Sequence, residues 1–238
     1  MRAAIHCNPH IPWHRPFAAK MAEGLYELGI DHLMTSSSRK LHSGEDFSVL
    51  LGTTCWRQVE CDPAPWLLVD RCSFGDTNQW VSLVWNGHGR RGDHMVPDLF
   101  DESRWEQHNI ELWPELLGAT YTVICGQTET YSPHYANLLQ WYDSIEGATH
   151  FRPHPAGNNP TRLPVRMEIT DSAFHILNSS FGCEMAIKGR PLQVHDEGAM
   201  CYHAYEDRER WAQWLAWTQW HHEEIKAGEP IGHLFEWL

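Results

Sequence analysis

The hydrophobic positions of the chain fall into short runs separated by polar, glycine- and proline-rich punctuation. Residues 2–7 (RAAIHC), 31–36, 47–51, 66–70 (WLLVD) and 81–85 (VSLVW) read as strands. Between the first two, Phe17, Met21, Leu25 and Leu28 recur at helical spacing, with Lys20, Glu23 and Glu27 opposite. The spacing predicts an amphipathic helix over 17–29, closed by Gly29. Strand, helix and strand alternating at this interval argue for a parallel sheet. A second series starts at 120–125 (TYTVIC). A helix over about 134–146 follows, with Tyr135, Leu138, Leu139, Tyr142 and Ile145 on one face and Gly147 as its stop. One strand then runs into Arg152-Pro153-His154-Pro155 and the next into Ser179-Ser180. A turn of Asn178, Ser179, Ser180 and Gly182 leads to a helix of little more than one turn, Glu184 to Gly189, and a closing strand after Pro191.

Two further stretches complete the pattern. Residues 98–115 are acidic and Trp-dotted and read as a linker. Residues 206–227 read as one helix, with Trp211, Trp214, Leu215 and Thr218 on a face and Trp217 and Trp220 flanking it. The expected fold class is α/β, with two parallel-sheet halves. The expected boundaries are 1–115, 116–205 and a helical tail over 206–238. That tail either crosses back to the first half or forms a homodimer interface; both explain its Trp-rich face.

The polar clusters fall where apolar strands end. In an open α/β sheet, ligands bind in the crevice beyond the carboxyl ends of the strands. In the second half the chemistry is that of anion binding. Arg152 offers a planar charged fork and His154 a second donor. Ser179, Ser180 and Gly182 stand before a helix, whose free N–H groups suit a phosphate. Alone, the serines read equally well as a helix cap and the prolines as turn formers. Two such clusters on adjacent strands favour a site.

In the first half, the loop Asn8–Pro16 follows the first strand, so its histidines and arginine are within reach of a crevice; a rigid surface loop is the competing reading. Asp70-Arg71 ends another strand. Asn86–His94 is glycine-rich and basic, with His88, Arg90 and Arg91. Asp70, Asp76 and Asp93 are the carboxylates placed to act as a base. Asp70 is preferred because the end of an apolar strand fixes it; an ion pair with a nearby arginine is its alternative. His88 and His94 match no zinc spacing, so no metal is expected.

A strand into R-P-H-P, a strand into S-S, and a short helix with an early Glu and G-x-P resemble the C-terminal half of GT-B glycosyltransferases, closest to the capsule-polysaccharide and sialyltransferase-like branch. The resemblance covers about 120–200, includes the strand into Gly126-Gln127, and extends loosely to the acid–Arg pair and glycine loop of the first half. It implies two Rossmann-like halves facing a cleft, a nucleotide-sugar donor as co-substrate, no other cofactor and no metal. It implies donor binding by Arg152, His154, Ser179, Ser180, Gly182 and Glu184, the last reaching the ribose or simply serving as a first-turn carboxylate. In the acceptor half it places Asp70 as base and Arg71, His88, Arg90 and Arg91 against a hydroxyl acceptor. A glycan and a hydroxymethylated pyrimidine in phage DNA are the acceptor classes considered. A nucleotide-sugar epimerase or hydrolase of the same fold, and a non-catalytic nucleotide-binding or structural protein, are the alternatives.

Composition narrows this only a little. The 238 residues carry a net charge of −13, which opposes a broad nucleic-acid-binding face. The 13 tryptophans suit stacking on sugars or bases, and also cores and interfaces. The seven cysteines are scattered without C-x-x-C spacing, as in reduced cytosolic proteins. No leader pattern and no membrane-length apolar run are present, so a cytoplasmic location is expected, that of the host if the chain is phage-encoded.

Overall fold

A computed structural model describes residues 1–36, 44–52, 65–127, 138–155 and 159–235. The chain forms two compact units. One comprises Met1–Arg104 and the chain from Trp214 onward; the other is Trp105–Gln213. Both are α/β with parallel sheets, all-parallel in the second unit and mostly parallel in the first.

The first unit opens with β1 (Arg2–Cys7), α1 (His14–Glu27), β2 (Asp31–Ser36), β3 (Phe47–Leu51), β4 (Trp66–Arg71) and β5 (Trp80–Trp85). Its sheet runs β2-β1-β3-β4-β5, closed at the far edge by β10 (Gln219–His221). Strands β2, β1, β3 and β4 are parallel; β5 turns back on β4, and β10 runs antiparallel to β5. The central strands read as nearly continuous apolar runs because both faces are buried. On one face Ile5, Val49, Leu51, Leu67, Val69 and Leu83 pack with Phe17, Met21 and Leu25 of α1. On the other, Leu50, Leu68 and Val84 pack under Trp66.

The second unit contains β6 (Tyr121–Cys125), α3 (Leu138–Ser144), β7 (His150–Arg152), β8 (Ser172–Ile176), α4 (Ser180–Ile187) and β9 (Leu192–Val194), preceded by the short α2 (Ser103–Gln107) at the boundary. Its four strands run β7-β6-β8-β9. Ile124, Phe151 and Leu177 pack with Leu138 and Tyr142 of α3. Tyr135 and the start of the helix expected over 134–146 lie outside the described residues.

Three expectations are corrected. The tail over 206–227 is not one helix. It divides into α5 (Arg208–Trp217), β10 and α6 (His222–Lys226), followed by α7 (Glu229–Phe235). The Thr218 hydroxyl donates to the Leu215 carbonyl at 2.7 Å, and the Thr218 carbonyl accepts from Leu83 N–H, so the backbone leaves the helix for the sheet edge. His221 then caps α6: its Nδ1 accepts from Glu223 N–H, and Glu224 accepts from His221 N–H at 2.7 Å. The unit boundary falls inside α5, so the chain from Trp214 belongs to the first unit.

The second correction is in the 98–115 stretch. Beyond the α2 boundary it is part of the second unit, where Trp113 N–H donates to the Ile187 carbonyl at 2.9 Å and Leu116 N–H to Gly189 at 2.8 Å. The third is α4, which starts at Ser180 rather than Glu184. Ser179 is its cap, and Gly182 lies inside it, where the absence of a side chain leaves room for Cys201: a Cβ at Gly182 would stand 2.5 Å from the Cys201 sulfur.

Candidate functional site

Each sheet reverses its order once, between β6 and β8 in the second unit and between β1 and β3 in the first. Such reversals open a crevice at the strand ends.

In the second unit β6 runs into Gly126-Gln127. The Gly126 N–H donates to the Arg152 carbonyl at 2.8 Å. A Cβ on Gly126 would come within 2.8 Å of the His154 nitrogen, so glycine lets the ends of β6 and β7 close together. Gln127 reaches across the reversal and donates through Nε2 to the Asn178 carbonyl at 2.5 Å; its own N–H is taken by the Tyr142 hydroxyl at 2.9 Å. Ser179 accepts the Phe181 N–H at 3.3 Å and caps α4. The Arg152 guanidinium lies 4.3 Å over the Phe181 ring and donates to the Met167 carbonyl. Thus Gln127, Arg152, His154, Ser179 and Ser180 are gathered at one set of strand ends around the amino end of a helix.

Burial holds the His154 imidazole below its ordinary range, so it is neutral near pH 7. Gly182 is buried in the helix and offers only backbone. Glu184 is exposed and paired with Lys188 at 2.6 Å, one turn along the same helix.

In the first unit Asp70 is the penultimate residue of β4, which runs on to Arg71. Its Oδ1 accepts the Arg71 N–H at 2.8 Å, and its Oδ2 is 3.7 Å from His88 Nε2. Its side-chain partners are therefore the following backbone and a histidine of the glycine loop. Arg71 is exposed and its charge is felt at the neighbouring groups. Gly89–Arg91 forms a single 3-10 turn. It carries Arg90 to 4.5 Å over the Trp214 ring and leaves Arg91 exposed. Of Arg71, His88, Arg90 and Arg91, His88 is brought to Asp70 and Arg90 to a tryptophan face.

The other base candidates are turn residues. Asp76 accepts from the main chain and side chain of Asn78, and Asp93 from Met95 N–H at 2.8 Å. His94 is buried with Nδ1 3.0 Å from the Leu83 carbonyl and Nε2 2.8 Å from the Gly89 carbonyl. The neutral ring can donate to one of these carbonyls at a time, so His94 ties either β5 or the glycine loop through its single N–H. Among the described residues no group of three or more His, Cys, Asp or Glu is placed to hold a metal, and no helix is long and apolar enough to cross a membrane.

One residue of this crevice was only loosely foreseen. His14 starts α1 three residues ahead of the expected helix. It is buried, and its Nδ1 accepts the Asn8 N–H at 3.0 Å. Burial holds it down to about 4, with the Asp70 charge raising and the Arg71 charge lowering it. The strand-to-loop pattern placed the loop; the fold of that loop, which sets the ring, had no signal in residue spacing.

No protein-family model matches this sequence, and no curated protein is significantly similar to it.

Proposed function

We propose that the chain is a GT-B-like glycosyltransferase that moves a sugar from a nucleotide-sugar donor to a hydroxyl acceptor. The observation that carries this reading is the gathering of Gln127, Arg152, His154 and the capped start of α4 at the β6/β8 reversal. A diphosphate there would meet a capped helix end and a planar cation together. The second support is a carboxylate in the first unit, Asp70 near the end of β4, with His88 beside it.

The step balances as a displacement. The acceptor oxygen forms a bond to the anomeric carbon as its proton passes to a carboxylate base, and the bond from that carbon to the donor phosphate breaks. The nucleotide leaves with the bonding pair, and Arg152 with the α4 amino end stabilises the charge that develops. His154, neutral near pH 7, supplies a hydrogen bond rather than a charge. A sugar hydroxyl and a hydroxymethyl group on a pyrimidine both meet the acceptor requirement.

The test is release of free nucleotide from a panel of nucleotide sugars in the presence of each acceptor. Wild type is expected to release nucleotide only with its acceptor, and Asp70→Asn to slow this by about 10²- to 10⁴-fold. Release at the same rate with and without acceptor would replace transfer by hydrolysis.

A further inference from the structure

The β1/β3 reversal of the first unit holds a histidine that the displacement above leaves unused. His14 is 1% exposed. A ring nitrogen that accepts from an N–H carries no proton itself, so the Asn8 bond to Nδ1 places the neutral ring's proton on Nε2. Among the described residues that Nε2 has no hydrogen-bond partner, and it is not one of the sealed, unpaired atoms of the core. It lies beside Gly52, directly after β3. A Cβ on Gly52 would stand 2.9 Å from it, and Gly52 has φ +71°. Gly52 therefore places no side chain of its own beside the donor. An unused donor on an otherwise enclosed ring is expensive unless something accepts from it.

The neighbouring strand end supplies the complement. Asp70 is the penultimate residue of β4, the strand next to β3, and the Gly52 N–H donates to the Val69 carbonyl at 2.8 Å, so Gly52 and Asp70 stand at the same level of the sheet. One fixed neutral donor and one carboxylate acceptor together match an alcohol, whose oxygen accepts one hydrogen bond while its proton donates the other. We propose that His14 Nε2–H holds the oxygen of the acceptor's hydroxyl group while Asp70 takes its proton, which makes this crevice the alcohol-binding subsite. His14 acts here as a donor and not as the base, because its other nitrogen is spent on the Asn8 backbone and its remaining one already carries the proton. The ring stays neutral through the physiological range, since burial holds it down to about 4. The inference deepens the transfer reading and rests on it for the reaction, though not for the binding.

The experiment is nitrogen-15 NMR of the histidines, with methyl glucoside and 5-hydroxymethyl-2′-deoxycytidine as the two alcohol probes, on wild type, His14→Asn and His14→Gln. Asparagine keeps an oxygen near Nδ1 for the Asn8 N–H and lacks the Nε2 donor. Glutamine reaches the Nε2 position with its amide. Wild type is expected to carry the His14 proton on Nε2 alone, and one probe is expected to move that signal. His14→Asn is expected to bind that probe about tenfold more weakly, the equivalent of one lost hydrogen bond, with His14→Gln keeping most of the affinity. The probe that binds separates a sugar acceptor from a nucleobase one.

A His14 proton on Nδ1, no response to either alcohol, or wild-type affinity in a folded His14→Asn would each overturn the proposal. If His14→Asn does not fold, the wild-type tautomer and probe response still decide it. Loss of alcohol binding in His14→Asn, with no nucleotide sugar ever consumed by wild type, would end the transfer reading and leave the subsite. Transfer by His14→Asn at wild-type KM would do the reverse.

Discussion

Burial pushes the imidazoles of His14, His94, His154, His175, His195 and His221 below their ordinary value. Each therefore binds protons more readily in the unfolded chain than in the folded one, and stability falls with pH in that window. For His14 the window runs from its unperturbed 6.5 down to about 4. Its contribution is complete above 6.5 and lost on acidification, at most on the order of 3 kcal/mol. Denaturant midpoints measured at pH 7.5 and 5 should differ by less in His14→Gln than in wild type; an unchanged difference would mean that His14 titrates normally. Gly52 offers a second check at this scale. Alanine there meets both a left-handed φ of +71° and the His14 ring, so Gly52→Ala should lose about 1–2 kcal/mol in chemical denaturation. A neutral result would mean that the ring and the loop part easily.

Among the elements, α6 and β10 depend on one side chain. Arg104 is 6% exposed and grips both Glu224 oxygens, at 2.7 and 3.0 Å, while donating to the Gln219 carbonyl and lying 4.5 Å over the Trp220 ring. Removing one partner of such a buried pair leaves the other uncompensated, which costs about 3–5 kcal/mol. Arg104→Ala should show that loss in equilibrium unfolding; a loss below 1 kcal/mol would mean that water readily replaces the guanidinium.

The same elements show where sequence reading stops. The strands ending at Asp70 and before Ser179 were legible because apolar runs there are bounded by polar punctuation. β10 was not, since three residues between helical turns leave the 3.6-residue period nearly intact; only the Thr218 and Gln219 bonds to the first unit reveal the break. The start of α4 differs from expectation because Ser180 and Gly182 look like turn residues, whereas Ser179 caps the helix and Gly182 sits inside it against Cys201. The partners of Asp70 and His14 depend on loop backbones, which residue spacing does not encode.

At the scale of the molecule, two α/β units each present a cluster at their own strand-order reversal. One is rich in donors for an anion. The other pairs a carboxylate with histidines. With a net charge of −13, non-specific attraction of phosphates to the general surface is weak. The central claim is that the Arg152–Ser180 cluster binds the nucleotide. It is tested most directly by thermal-shift measurements with UDP, GDP, CMP and dTDP and their sugars, on wild type and His154→Ala. A nucleotide at about a hundredfold over its Kd adds about 2.7 kcal/mol to the folded state. In a chain of this size that is a rise in Tm of about 5–10 °C. Such a rise is expected with one nucleotide class, reduced or abolished in a folded His154→Ala. No rise with any nucleotide, or a rise that His154→Ala leaves intact, would contradict it.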